Sequence, residues 1–193
     1  MCARYEFLAD CPELHAILEA LRRRRPGAAW HPGTVYPSAS APVLLEAAGE
    51  LVPELLCWGF PWPGRRPVIN ARAETLLERP MFREPARSRR CAVPASSFFE
   101  WDSQKHQFVL RRADGRPLYL AGVYDRRDGL DCYCVVTRPA QGAAAEIHDR
   151  MPLILSQEAA EAWVLDGGAT EDLLRTEPPP LEAGRTDGQL RLW

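Results

Sequence analysis

A single lysine, Lys105, stands among 24 basic residues, so positive charge is carried almost wholly by arginine. No apolar run approaches the roughly 18 residues that a membrane-spanning helix needs. The opening "MCARYEFLADC" lacks the basic stretch and following apolar segment of a secretory leader. These absences point to a cytoplasmic protein with no membrane partner. There is also no C-x-x-C pair, no internal repeat and no low-complexity linker. The six cysteines (Cys2, Cys11, Cys57, Cys91, Cys132, Cys134) therefore read as reduced thiols rather than a disulfide frame, and their spacing calls for no metal or cofactor.

What is present fits one domain. A chain of 193 residues, 46% hydrophobic, can bury a sizeable core. The net charge of −2 is unevenly spread. Eight arginines between Arg65 and Arg90 face three glutamates, a local balance of +5, whereas Ser156–Trp193 carries −5. Such asymmetry suits an anionic partner on one face, and arginine is the cation that grips phosphate in a fork. A second cluster, Arg22–Arg25, follows the stripe Leu14, Ile17, Leu18, Leu21 and reads as the cationic end of a helix running from Pro12 to about Arg25.

Further along, "VLLEA" and "LLCWGF" read as strands joined by "AGELVPE", and "VINARAETLLE" as a strand breaking into a helix. "RCAVPASSFFEW", "HQFVLRR", "PLYLAGVYD" and "LDCYCVVT" are β-rich runs separated by Asp-Gly turns. "MPLIL" is a further strand, and Ser156 is placed to cap a helix over "QEAAEAWVL". Residues after the Pro178–Pro180 run are expected to form a loose tail. The pattern predicts an α+β, single-domain protein whose mainly antiparallel sheet curls into a barrel-like core.

Four polar residues sit where apolar ones are expected. Asn70 lies between "VI" and a helix start, where it suits a cap. Glu100 interrupts "SSFFEW" and alternation can turn it to solvent. His148 precedes a strand in "EIHDRMPLIL" and can bond its neighbour Asp149. Cys2 follows the initiator methionine. Taken together they suit a different task. Removal of Met1 would leave Cys2 with an α-amine and a thiol on adjacent carbons. The amine, with an ordinary pKa of about 7.7–8.0, is roughly one-tenth free near neutrality and can attack a carbonyl. A carboxyl and an imidazole can move the protons, and an amide can hold the partners without adding charge.

The ordered set "MCAR", "WGF", "NARAET", "FR…RRCAVP", "FFEW", "LAGVYD", "VVT" and "IHDRMPLIL" resembles the SRAP family, the SOS-response-associated peptidases, over roughly Met1–Trp163. The Pro178–Pro180 run sets the expected domain at 1–177 and the tail at 178–193. The resemblance implies binding of single-stranded DNA. It also implies covalent capture of abasic sites: the Cys2 amine forms an imine with the sugar aldehyde and the thiol closes a thiazolidine. A covalent trap at one lesion calls for no more than a monomer. By motif position, Cys2, Asn70, Glu100 and His148 would be catalytic. Arg4, Arg72 and Arg150 would hold phosphates, and Trp58 or Trp101 could stack on an exposed base of the DNA, core packing being an equal reading for either. Autocatalytic removal of Met1 and a lyase-type reversal belong to the same expectation. Ala3 and Ser97 depart from the family's usual glycines. Two readings from the residues alone stay beside this one: an N-terminal-nucleophile amidohydrolase using the same Cys2, and a DNA-binding module in which Cys2 is inert.

Overall fold

In the computed structural model, which describes residues 2–28 and 30–186, the chain starts with strand β1 (Tyr5–Phe7) and helix α1 (Pro12–Arg24). Pro12 occupies the helix start, where its missing N–H leaves nothing unpaired. Leu14, Leu18 and Leu21 recur at helical spacing on the buried face. At the other end Arg24 and Arg25 both bind Glu54. After β2 (Gly33–Val35) comes a long hairpin of β3 (Ser40–Ala47) and β4 (Glu50–Trp58). Its turn is only Ala48-Gly49, both at positive φ, so most of the expected connection "AGELVPE" is strand. Counting from that two-residue turn puts Pro53, opposite Leu44, at a pair that exchanges no backbone bonds. The missing N–H of proline therefore leaves this ladder intact.

β5 (Asn70–Arg72) runs into a single 3-10 turn at Ala73–Thr75, not the expected longer helix. Helix α2 (Arg83–Ser88) leads to β6 (Arg90–Ala95), β7 (Ser97–Trp101), β8 (Gln107–Arg112), β9 (Leu118–Arg127) and β10 (Leu130–Pro139). The predicted strand "MPLIL" divides into β11 (Arg150–Pro152), paired with β10, and β12 (Ile154–Leu155), paired with β9. Ser156 caps α3 (Gln157–Leu165) as predicted, its hydroxyl accepting the Ala159 N–H at 3.1 Å. A short α4 (Thr170–Leu173) precedes β13 (Leu181–Thr186).

β13 corrects the expected loose tail as far as Thr186. It pairs antiparallel along the whole of β8, from Leu181 opposite Arg112 to Thr186 opposite Gln107. Its side chains are mostly exposed, so backbone bonds to an otherwise open sheet edge hold it. Residues 187–193 of the expected tail lie outside the described residues.

The pairings form a closed circuit, β10–β4–β3–β6–β9 and back to β10. The barrel-like core is thus a ring of five strands, extended by β5, β11 and β12. Most pairings are antiparallel, but β10 runs parallel to both β4 and β5. Gly122 of β9 lies opposite Cys91 of β6 and Val135 of β10. A Cβ there would come within 2.8 Å of Cys91 Sγ and 3.1 Å of the Cys134 carbonyl. The buried Trp163 of α3 fixes the same spot by donating its indole N–H to the Cys91 and Gly122 carbonyls. The second sheet, β13–β8–β7–β1–β2, is antiparallel throughout. Its inner face shares with the barrel a core containing Tyr5, Trp58, Phe98, Leu110 and Tyr133.

Candidate functional site

The N-terminal segment lies beside β7: Tyr5 pairs with Phe98, and Phe99 N–H donates to the Arg4 carbonyl at 3.0 Å. This pairing brings Cys2 to the mouth of the shared core near Glu100, two residues further along β7 than Phe98. Cys2 is fully buried. Burial first, and the charge of Glu100 second, push its thiol well above the ordinary cysteine range. The group is therefore S–H, and it approaches the Arg4 carbonyl at 3.7 Å.

Asn70 opens β5 in parallel register with Val135 of β10. It caps no helix. Its side-chain N–H donates to the Cys2 carbonyl at 2.8 Å, and its Oδ1 is buried with no partner among the described residues. Glu100 is 2% exposed, so strand alternation does not turn it to solvent. Burial raises its pKa, His148 nearby pulls it down, and Asp149 pushes it up. His148 follows the 3-10 segment Gly142–Glu146, its own N–H bonded to the Ala144 carbonyl. Ring Nδ1 is 3.0 Å from the Arg150 N–H and 2.7 Å from Asp149 Oδ1. The first contact requires a lone pair on Nδ1 and the second a proton there, so the two alternate with the tautomer or protonation of the ring. Four residues separated by up to 146 positions thus converge: a thiol, an amide, a carboxyl held toward its protonated form, and an imidazole with a partner for either state.

The family model for SOS response associated peptidase (SRAP) matches residues 1–183. The chain belongs to the SRAP family. This SRAP chain is 34% identical over 139 residues to the abasic site processing protein YedK of Escherichia coli, a match spanning 67% of this chain but 63% of that relative. It is 30% identical over 202 residues to the abasic site processing protein YoqW of Bacillus subtilis, spanning 95% and 88% respectively. A crystal structure from Bordetella bronchiseptica, 25% identical, superposes with a TM-score of 0.76 over 96% of this chain and all of that one. Another from Bacteroides thetaiotaomicron, 23% identical, shares the fold with a TM-score of 0.77 over 97% and 93%.

Around the SRAP cluster the expected contact residues differ in setting. Arg72 is exposed. Arg4 is partly buried, its guanidinium 5.1–5.3 Å from the ring centres of Tyr36, Phe99 and Trp101, with Nη1 on Gln107. Trp101 is partly exposed beside it. Arg150 forms a two-pronged bond to Glu74. Trp58 is corrected as a stacking platform: it is fully buried, bonds the Ile69 carbonyl at 3.0 Å, and packs against Tyr5 and Tyr133. No base can reach its faces while the core is intact.

The arginine-rich segment divides as well. Arg90 is buried and donates to the Ala86, Arg87, Trp163 and Val164 carbonyls, joining the ends of α2 and α3, and Arg89 pairs with Asp125. The other six arginines between Arg65 and Arg90 are exposed. Ser97, one of the departures from the family pattern, is buried and donates to Glu6 Oε2 at 2.8 Å. Sequence reasoning missed the half-exposed Tyr36 on Arg4, the Tyr5–Tyr133 hydroxyl pair at 2.6 Å beneath Trp58, and the engagement of Glu74 with Arg150. Only Glu74 had a signal, its place inside "NARAET". Among the described residues no group of three or more His, Cys, Asp or Glu side chains could hold a metal ion.

Proposed function

We propose that this chain, after loss of Met1, processes abasic sites in single-stranded DNA by trapping their open-ring aldehyde at Cys2. The observation that carries the reading is the tie of Asn70 to the Cys2 carbonyl beside the buried Glu100. The Cys2 α-amine adds to the sugar C1′ carbonyl and gives a carbinolamine. Glu100, biased toward its protonated form by burial, supplies a proton to the departing hydroxyl, which leaves as water, and the carboxylate takes back the iminium N–H proton to leave the imine. The S–H then adds across the C=N bond, sulfur to carbon and proton to nitrogen, closing a thiazolidine. One water is lost overall, and no cofactor takes part.

His148 relays protons between Glu100 and bulk water, and it can return one when the ring reopens. The unpartnered Oδ1 of Asn70 suits a sugar hydroxyl. Arg4, Arg72 and Arg150 serve flanking phosphates, and Trp101 a neighbouring base. The proton carriers Glu100 and His148 also suit hydrolysis of the Met1–Cys2 bond by water. The proposed working form is a monomer of the bacterial-type cytosol, associated with the nucleoid when bound to DNA.

The rival amidohydrolase would need a thiolate that attacks first. Burial opposes that charge, whereas in the aldehyde route the amine attacks first and the thiol enters neutral. Intact-protein mass spectrometry, before and after mixing with single-stranded DNA bearing one abasic site, tests the reading. The expected result is loss of Met1, then a heat-stable adduct at the summed mass less one water, absent in Cys2→Ser. A processed protein that forms no adduct overturns it.

A further inference from the structure

Arg150 is the proposed phosphate ligand least ready to act. A guanidinium offers a phosphate two forks, Nη1 with Nη2 and Nε with Nη2, and Nη2 belongs to both. Here both Nη2 hydrogens are committed, one to Glu74 Oε2 at 2.9 Å and one to the Thr137 carbonyl at 2.7 Å. Nη1 is bound to Glu74 Oε1 as well, and Nε is buried with no partner among the described residues. The Thr137 carbonyl belongs to β10 and is fixed by the barrel, whereas Glu74 lies on the 3-10 turn after β5 and its side chain is 45% exposed. Of the two occupants, only Glu74 can leave by side-chain rotation. Its carboxyl is held below the ordinary glutamate range by the hydrogen bond to Arg150 against the opposing effect of burial, with Arg72 assisting. It therefore occupies the cation as an anion, much as a phosphate would.

We infer that Glu74 is a resident competitor for the backbone phosphate: it fills the Arg150 fork until DNA displaces it, and so sets the affinity for single strands. The inference rests on the proposed role of Arg150 in phosphate binding. It carries an unusual sign, because deleting a side chain at the edge of the site strengthens binding. Glu74→Gln keeps the size but loses the charge and one prong of the fork.

The test is titration of a fluorescent single-stranded oligonucleotide containing a tetrahydrofuran, an abasic analogue with no aldehyde, at several salt concentrations. Glu74→Gln is expected to bind roughly three- to tenfold more tightly near 0.15 M salt. Its plot of log K against log salt should steepen, because salt also loosens the Glu74–Arg150 pair that DNA must displace in the wild type. The gain should vanish in the Arg150→Ala background. Unchanged or weaker binding by Glu74→Gln, while Arg150→Ala also weakens it, would show that Glu74 merely positions Arg150 and would overturn the inference alone. If Arg150→Ala leaves binding intact, the phosphate role of Arg150 fails, and the competitor role falls with it.

Discussion

Glu100 gives the clearest signature at the scale of single residues. Its pKa in the folded protein is raised, chiefly by burial. The stability tied to its protonated form is fully present below the unfolded value of about 4.3, and it is lost as pH rises through the raised folded value. Glu100→Gln mimics the protonated form at every pH. Its melting temperature should therefore exceed that of the wild type by a margin that grows between pH 4.5 and 7.5. A difference of about 1 kcal/mol would appear as about 2–4 °C in a chain of this size. Thermal melts of both proteins across that range check it, and a margin that shrinks with pH would contradict the assignment. The same residue shows where sequence reading stops. A glutamate in an aromatic run is visible as an anomaly, but alternation within one strand turns it to solvent. Only the N-terminal strand laid across β7 reveals its burial. Asn70 is more legible, being the sole asparagine of the chain and lying within a recognisable motif. Its bond to a carbonyl 68 positions earlier is not written in any local pattern.

Among the elements, β9 carries the closure of the barrel. It lies between β6 and β10, and Gly122 stands opposite Cys91 on one side and Val135 on the other. Both obstacles to a side chain there are buried, and one is a backbone carbonyl, so neither yields by swinging away. Gly122→Ala should cost about 1–3 kcal/mol, lowering the melting temperature by up to about 10 °C while leaving the far-UV spectrum unchanged. A loss below 1 °C would mean that the strands part without strain. Strand and helix identity was readable wherever apolar periodicity was strong, as in α1, α3 and the runs of β9 and β10. It failed where another force decides. β13 is held by an edge rather than by burial, the split of "MPLIL" is set by two different partners, and the parallel seam of β10 with β4 joins segments too distant for turn signals. Trp58 stayed undecided between core and stacking for a related reason: its motif is local, but its environment is the meeting of two sheets.

For the molecule as a whole, the thiols report on how the fold is sealed. Cys2, Cys91, Cys132 and Cys134 are buried, whereas Cys11 and Cys57 are partly exposed, and all six are free. A thiol reagent such as Ellman's should therefore modify two groups quickly and four slowly, with the slow four released together in denaturant. Three or more fast thiols in the native state would contradict the packing. The enclosed Cys2 has a consequence beyond titration counts. An aminothiol captures almost any aldehyde it meets, and cells contain many small ones. A nucleophile enclosed at the junction of two sheets is open to casual encounters only when the packing over it opens, so native packing acts as a sieve. The lifetime of the proposed trap before use is then set by how often that end of the protein breathes. Mass mapping shows whether Cys2 is alkylated ahead of Cys91, Cys132 and Cys134. That order distinguishes a door at the chain terminus from one that opens only when the whole barrel does.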